Sequence, residues 1–228
     1  IVRAKGLGSA GLYDLVELGP DRLIGEIVRL EGQEAVIQVY EENTGMTPGE
    51  PAVSTGRPLS ALLGPGLIGT IYDGIQRPLE ELYKASGAFL LPGVQGDKLN
   101  AERLWPFTPS SELASRLACG ERVVLSTGML LGSVPETSSV ECRIMVPPEA
   151  DGQVLEFLSG AGERRVHDEI ARTRQGLSIK MAQWWPVRVP RPFRAKLSPD
   201  EPLLTGQRVI DVFFPLSKGG TAAIPGGF

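Results

Sequence analysis

Short apolar stretches separated by turns fill the N-terminal part of the chain, and they predict β-strands. Leu12–Leu18 and Leu23–Leu30 are two such stretches. Glu34–Tyr40 follows the pair Glu31-Gly32, and its apolar residues alternate with polar ones, as in a strand with one buried face. A two-residue connection with glycine at a positive φ is typical of a hairpin. The pattern therefore predicts a small β-barrel or sandwich in this region.

Helical signals are few and short. Leu79–Ala85 is rich in Leu, Glu and Lys, and it follows Pro78, a residue that favours the start of a helix. Ser111–Leu117 is a second predicted helix, with Ser110 or Ser111 as its N-cap. Helix is therefore the minor component of the predicted structure.

Beyond these helices the pattern returns to strands between turn residues. The stretches predicted as strands are Arg122–Leu125, Leu130–Val134, Glu141–Val146 and Gln153–Leu158. Glu163–Arg174 is polar with scattered apolar residues, and its pattern leaves both a strand pair and a helix open.

The C-terminal part changes character after Trp184-Trp185-Pro186, where further prolines predict an irregular connector. Gln207–Phe213 is predicted to be helical. Gly219–Phe228 is predicted as a short buried strand that runs into a glycine-rich turn.

Composition agrees with a folded, turn-rich protein. The chain has 228 residues, of which 42% are hydrophobic and 22% charged, with 28 Gly and 19 Pro. Its net charge of −4 argues against nucleic-acid binding, which depends on neutralising phosphates. The one basic cluster, Arg188, Arg191, Arg194 and Lys196, is interleaved with prolines and is interpreted as a solvated or domain-interface stretch.

Two cysteines, Cys119 and Cys142, are too few for a disulfide framework, so a reducing cytoplasm is the expected compartment. Whether they pair with each other is left open by the sequence. No apolar run is long enough to cross a bilayer, and no targeting pattern precedes the first strand.

Isolated polar residues offer little catalytic chemistry. His167 is the only histidine and has no partner ligand near it in sequence, so no metal site is predicted. Asp168-Glu169 is interpreted as solvated rather than as an acid/base pair. Ser126 and Ser133 lack a base at a recognisable spacing.

Three further features are interpreted as structural. Asp73 and Arg77 are predicted to pair across their turn, and Trp184 and Trp185 to form a buried anchor. The strands around Val134 to Val154 resemble a barrel-sandwich hybrid, the architecture of biotin and lipoyl carriers. However, Lys180 of Ile179-Lys180-Met181 lies outside those strands, which argues against a carrier.

The last segment carries the most informative pattern. A P-loop consists of a buried strand, Gly-x-x-x-x-Gly-Lys-Ser/Thr and a helix, in which backbone N–H groups surround the phosphates and the hydroxyl holds Mg²⁺. A predicted strand and its first glycine, Gly226, are present, and the chain then ends at Phe228.

Two longer segments carry a family resemblance. LLTGQRVIDVFFPLSKGGTAAIPG, residues 203–226, resembles the approach to the P-loop in rotary ATPase subunits. GPGLIGTIYDGIQRPL, residues 64–79, resembles the junction that follows their N-terminal barrel. The long insert between the two is similar to the bulge domain of the catalytic subunit of V-type and archaeal-type rotary ATPases. Segments within it that carry the likeness are 132–136, 144–148 and 185–192.

This resemblance implies a mainly β fold. Residues 1–66 would form an N-terminal β-barrel whose first strand is missing, and 67–92 a connector into the central domain. Residues 93–183 would form the β-rich, barrel-sandwich-hybrid-like bulge insert. Residues 184–228 would be a linker and the incomplete start of a P-loop α/β nucleotide-binding domain, with residues 194–228 poorly packed or held by another molecule.

The resemblance also implies a function for the full-length protein. It would bind ATP or ADP with Mg²⁺ and couple ATP hydrolysis or synthesis to proton or sodium transport. Its partners would be the non-catalytic B-type subunits of an alternating hexamer, the peripheral stalk and the central shaft. The location implied is cytoplasmic and peripheral to the membrane, without membrane insertion.

Within this chain, Gly226, Gly227 and Phe228 would begin the nucleotide-binding loop, and no catalytic residue or metal ligand is expected. The chain alone is therefore expected to be inactive and to hold no cofactor. Gly227 stands where the family usually has Pro, and residues 162–171 depart from its pattern. The alternatives are a non-catalytic interaction module, serving as ring collar and stalk-docking surface, and a degenerate paralogue.

Overall fold

The computed structural model describes residues 1–89, 93–94, 96–193, 195–223 and 225–226. It divides into two compact units, Ile1–Pro192 and Phe193–Phe228. Strands dominate, and the described helices are short, which confirms the predicted mainly β class. Among the described residues, no helix has the length and apolar character needed to cross a membrane.

The N-terminal part of the first unit is one antiparallel sheet of five strands in the order β1-β4-β3-β2-β5. The strands are β1 (Val2–Lys5), β2 (Asp14–Leu18), β3 (Leu23–Glu31), β4 (Glu34–Val39) and β5 (Ala52–Pro58). The predictions of β2, β3 and β4 are confirmed. The strands β1 and β5 form the two edges, and neither was predicted from the sequence.

The hairpin between β3 and β4 differs by one residue from the prediction. Glu31 remains in β3, where it pairs with Glu34, so Gly32 and Gln33 form the two-residue turn. Gly32 has a φ of 62°, which glycine adopts at little cost because it has no Cβ. Glu31 has a Cβ, so the positive φ falls on Gly32.

One face of this sheet forms the first hydrophobic core. Val16, Ile27 and Ile37 are fully buried there, and Leu18 is nearly so. Successive side chains of a strand point to opposite faces, so the apolar residues at alternate positions share one side of the sheet. We call β1–β5 and this core the N-terminal body.

A short strand and a helix follow. Strand β6 (Ser60–Leu63) leads into a loop that ends at helix α1 (Leu79–Ser86). Pro78 is the N-cap, as the sequence indicated, and Leu82 is the buried residue of the helix. Glu80 and Glu81 in the first turn and Lys84 in the last complement the helix dipole.

The remainder of the first unit is rich in short strands. These elements are β7 (Trp105–Pro109), α2 (Ser111–Ala118), β8 (Leu130–Pro135), β9 (Glu141–Met145), β10 (Leu155–Leu158), β11 (Gly162–Arg164), β12 (Glu169–Thr173), β13 (Ser178–Lys180) and β14 (Gln183–Pro186). They form sheets ordered β11-β7-β8-β9 and β10-β12-β13, while β14 pairs with β6. The predicted α2, β8, β9 and β10 are confirmed.

Two predictions in this region need correction or completion. Arg122–Leu125 is not a strand; Val124 makes only an isolated bridge to Val154. Glu163–Arg174 contains the two strands β11 and β12, so the helix alternative was wrong. The two strands do not pair with each other, because β11 joins β7 and β12 lies between β10 and β13.

These strands and α2 surround the second hydrophobic core. Its members include Phe107, Leu131, Ile170 and Met181, together with Leu62 from β6. At Gly132, a Cβ would lie 2.5 Å from both the Phe107 ring and the Thr108 carbonyl oxygen, so only glycine fits. We call the region from β6 to β14, with this core, the insert body.

The second unit contains little regular structure. Its elements are β15 (Pro202–Leu203), α3 (Arg208–Phe213) and β16 (Leu216–Ser217), with β15 and β16 paired antiparallel. The helix was predicted, but a buried strand in 219–228 was not found. Described residues 219–223 and 225–226 are exposed and form no strand, because no other strand of this unit pairs with them.

Candidate functional site

The segment that leads to Gly226 is organised by its own polar groups. The carboxylate of Asp211, in α3, accepts hydrogen bonds from the Thr205 backbone N–H (2.9 Å), the Thr205 hydroxyl (2.7 Å) and the Gly206 N–H (3.1 Å). The Thr205 backbone N–H is the main reason that the pKa of Asp211 lies below its ordinary value. These contacts fix the turn before α3 without help from another part of the chain.

A second local contact closes the same segment. Lys218 pairs with the carboxylate of Glu201, and its backbone N–H donates to the Glu201 carbonyl oxygen at 2.9 Å. The β15–β16 pair therefore brackets α3 as a self-contained hairpin. Apolar side chains project from it: Leu204, Val212, Phe213 and Phe214 are between 63% and 78% exposed.

The predicted start of the nucleotide-binding loop lies just beyond this hairpin. Gly226 is exposed, and no described residue lies within 4 Å of the position that a Cβ would take. Gly227 and Phe228, the other two predicted site residues, lie outside the described residues. The described backbone at Gly226 therefore leaves room for a ligand to approach.

The insert body is anchored where the chain enters and leaves it. Strand β14 pairs with β6, with Gln183 opposite Leu63 at one end and Pro186 opposite Ser60 at the other. The Val187 N–H continues the contact by donating to the Leu59 carbonyl oxygen at 2.9 Å. The free edge of β6 is occupied by the Gln76 amide. Its Oε1 accepts from Leu62 N, and its Nε2 donates to Leu62 O, both at 2.7 Å.

Arg188 follows this ladder and reaches the N-terminal body. Its Nε and Nη2 donate to the two carboxylate oxygens of Glu26 at 3.0 and 2.6 Å, and the Tyr40 hydroxyl donates to the same carboxylate at 2.8 Å. The Arg188 guanidinium also stacks on the Tyr13 ring, 4.7 Å from its centroid. Glu26 is only 2% exposed, and its hydrogen bonds with Arg188 lower its pKa despite burial.

Asp73 and Arg77 pair as the sequence predicted, and Glu41 joins them. Arg77 Nε donates to Asp73 at 2.6 Å and Nη1 to Glu41 at 2.5 Å, while the Gly93 N–H donates to Glu41 at 3.1 Å. Burial disfavours the Asp73 anion, but the backbone and side-chain N–H groups of Arg77 outweigh it and lower the Asp73 pKa. The group is structural, with both carboxylates occupied by one guanidinium.

Glu136, just after β8, ties two loops together. Its Oε1 accepts from the backbone N–H groups of Gly66 (2.7 Å) and Ile68 (3.0 Å). Sequence reasoning missed Glu136, Glu26 and Gln76. Each acts on a partner far along the chain or on backbone atoms, and neither kind of contact leaves a local motif.

The other polar residues considered in the sequence have structural surroundings. His167 is exposed, Asp168 accepts from the Arg165 N–H at 2.7 Å, and Glu169 pairs with Arg172. Cys119 and Cys142 are both free, and burial raises the pKa of the Cys142 thiol to about 11. The described part of the chain contains no cluster of His, Cys, Asp and Glu suited to a metal ion.

The tryptophan pair fulfils its predicted role only in part. Trp185 is 4% exposed and donates to Gln183 at 3.2 Å, whereas Trp184 is 41% exposed. Adjacent residues of a strand face opposite sides, so only one of the two can enter the core. Lys180 lies in β13 rather than at a hairpin tip, which agrees with the argument against a carrier.

Two protein-family models match the chain. The "ATP synthase alpha/beta family, beta-barrel domain" matches residues 1–56. The barrel-sandwich domain of the ATPsynthase alpha/beta subunit matches residues 96–188, most of the insert body. The N-terminal sheet and the insert therefore each correspond to a known domain type.

Individual relatives match the whole chain. It is 48% identical to the A subunit of an A-type ATP synthase from Pyrococcus abyssi, of which it spans 22%, and 48% identical to the same subunit from Methanopyrus kandleri, of which it spans 38%. It is 45% identical to a V-type ATP synthase alpha chain from Clostridium novyi, of which it spans 37%. The chain thus spans well under half the length of these curated relatives.

Proposed function

Because the chain belongs to the ATP synthase alpha/beta family, in the group of the A-type A subunits and the V-type alpha chains, we propose that it is part of the catalytic subunit of a rotary ATPase. The main support is the sequence identity of 45–48% to these relatives over the whole chain, including the insert. The full-length protein would couple ATP hydrolysis or synthesis to proton or sodium transport.

The proposed division of the chain is a barrel at 1–66, a connector at 67–92, the bulge insert at 93–183 and the start of a nucleotide-binding domain at 184–228. The family matches at 1–56 and 96–188 support the first and third parts. The proposal assigns different roles to these parts: the barrel and insert serve assembly, and the last part serves nucleotide binding.

For the nucleotide, we propose that Gly226, Gly227 and Phe228 begin the phosphate-binding loop. Supporting this, the backbone at Gly226 is not covered by any described residue, and phosphate binding needs close approach to backbone N–H groups. When bound, ATP·Mg²⁺ supplies the phosphoryl group whose transfer is coupled to rotation. For the 228-residue chain by itself, the proposal expects no turnover.

The partners proposed are the B-type subunits of an alternating hexamer, the peripheral stalk and the central shaft. The exposed apolar side chains of the second unit support an arrangement in which further protein covers this surface, whether from the same polypeptide or from a neighbour. A cytoplasmic location peripheral to the membrane follows from such an assembly.

A second candidate function is a non-catalytic interaction module. The observation that favours it is that both hydrophobic cores of the described chain lie in the first unit, apart from the predicted start of the nucleotide-binding loop. Such a module would act as a ring collar and as a docking surface for the stalk.

One experiment separates the two. The reading frame beyond Phe228 would be sequenced, and the longer product assayed for ATP hydrolysis with its ring partner, with the 228-residue chain as the control. A continuation of Gly-x-Gly-Lys followed by Thr or Ser, with turnover only in the longer product, supports the catalytic role. A reading frame that lacks the lysine supports the non-catalytic interaction module instead. ATP hydrolysis by the 228-residue chain above a buffer blank contradicts its expected inactivity.

A further inference from the structure

The first unit contains two hydrophobic cores that share no residue among those described. One core belongs to the N-terminal body and is built around Val16, Ile27 and Ile37. The other belongs to the insert body and extends from Leu62 to Met181. Burial of shared apolar surface, which usually fixes two bodies together, is therefore not what joins their cores.

What joins the two bodies is polar and has the same chemistry at two points. Glu26 and Glu41 are carboxylates of the N-terminal body, with side chains 2% and 7% exposed. Each receives an arginine from outside that body: Arg188 from just after β14, and Arg77 from the loop between β6 and α1. The two arginines thus lie on the exit and entry sides of the insert body.

We propose that these two Glu–Arg pairs form an ionic joint that locks the insert body in one orientation on the N-terminal body. While both pairs are intact, the two bodies move as one. When both are open, the connections that remain are the chain around Leu59, its hydrogen bond with Val187 and the hydrogen bond from the Gly93 N–H to Glu41, and the insert body swings about them.

The geometry at Arg188 suits a lock rather than an incidental surface contact. The guanidinium binds both oxygens of Glu26, and such a fork restricts direction as well as distance. Tyr13 supports it from the other face and has a φ of 71°, which is costly for a residue with a Cβ. The Tyr13 N–H donates to Ile27 O at 2.8 Å, which holds the backbone in this conformation.

The geometry at Arg77 is equally constrained. Its guanidinium is shared between Glu41 and Asp73, and its Nη1 also donates to the Val94 carbonyl oxygen at 3.2 Å. The neighbouring Gly93 lies so close to the N-terminal body that a Cβ would be 2.1 Å from the Asp21 carbonyl oxygen. The entry side is therefore in direct contact with the N-terminal body at Gly93.

The test measures the distance between the two bodies directly. Spin labels would be placed on the native Cys119, which is exposed in the insert body, and on Lys5→Cys in β1, with Cys142→Ser to prevent a third label. The parent chain is expected to give one narrow distance distribution. In the variant Arg77→Gln/Arg188→Gln, the distribution is expected to become about twice as wide, as for an opened hinge.

The matched control is Arg172→Gln, which removes an arginine paired with Glu169 inside the insert body. It is expected to leave the distribution unchanged. The proposal is overturned by a broad distribution in the parent, or by an unchanged width in the double variant when its circular dichroism spectrum is that of the parent.

Should the double variant not fold, milder changes keep the proposal testable. Arg188→Lys keeps the charge but loses the fork, and Glu26→Gln keeps the volume but loses the charge. Each is expected to broaden the distribution by less than the double variant would, while a width equal to that of the parent in both overturns the lock at Arg188.

Discussion

The two units of this chain contain similar apolar patterns but use them differently. In Ile1–Pro192 such patterns end in buried cores, with Phe107 only 1% exposed. In Phe193–Phe228 the helix α3 and the residues after it have the same kind of pattern, yet Phe213 is 70% exposed and no described residue is buried. An apolar pattern thus predicts which residues can be buried, but not what covers them.

The polar contacts differ in the same way. In the first unit, several carboxylates bind partners distant in sequence: Glu26 and Arg188 are 162 positions apart, and Glu136 and Gly66 are 70 apart. In the second, Asp211 binds Thr205, only 6 positions away. The polar contacts described in the first unit thus include ones that join distant parts of the chain, whereas the side-chain hydrogen bonds described in the second unit span at most 17 positions, between Lys218 and Glu201.

The largest effect should come from a pair of phenylalanine truncations. Phe107→Ala removes a core side chain and is expected to reduce the free energy of unfolding by about 4 kcal/mol, because it leaves a cavity. Phe213→Ala is the matched change in the second unit and should alter the free energy of unfolding by less than about 0.5 kcal/mol. Urea unfolding followed by circular dichroism, to which both units contribute, measures both, and equal effects would remove the distinction between the units.

The next effect concerns buried charge. Arg77→Gln leaves Asp73 and Glu41 without their cation. It is expected to lower the free energy of unfolding by about 3 kcal/mol, as when one partner of a buried ion pair is removed. Arg116→Gln breaks the exposed pair with Glu121 and should leave the urea midpoint almost unchanged. If Arg77→Gln lowers the free energy of unfolding only slightly, water reaches the two carboxylates.

The smallest effect is a pH dependence of stability. The folded-state pKa values of Glu26 and Asp73 lie below their ordinary values of 4.5 and 3.8. Their contribution is therefore fully present above about pH 4.5 and is lost as the pH falls through the lowered values. The urea concentration at the unfolding midpoint should decrease as the pH is lowered below about 4.5, and the decrease should be smaller in Glu26→Gln than in the parent chain. If the midpoint depends on pH equally in both proteins, Glu26 is not a source of the effect.

How far the sequence predicts this molecule depends on the range of the interaction. The strands β2, β3 and β4 and the helices α1, α2 and α3 follow local patterns, and all were predicted. The pairing of β11 with β7 rather than β12 depends on contacts across the insert body, which a local pattern does not encode. Asp73–Arg77 was found because both residues lie in one turn, but their partner Glu41 is 36 positions from Arg77.

For the candidate site, the sequence predicted the hairpin helix and the glycine at 226, but also a buried strand that the described residues do not contain. Burial of a strand requires neighbours on both sides and a layer above it, and these are supplied by other parts of a sheet. A segment can thus have the composition of a buried strand while the described part of the chain offers nothing to bury it.

Gln76 has a consequence beyond the anchoring of the insert. A strand whose outer N–H and C=O groups are free is a template on which another polypeptide can add itself, and this is a common start of aggregation. Among the described residues, strand β6 pairs with β14 on one side, and on the other side the Gln76 amide bonds to the backbone of Leu62 as a neighbouring strand would. One glutamine in an unusual backbone conformation, with a φ of 61°, thereby occupies the N–H and C=O groups of Leu62 with which another strand would have to pair.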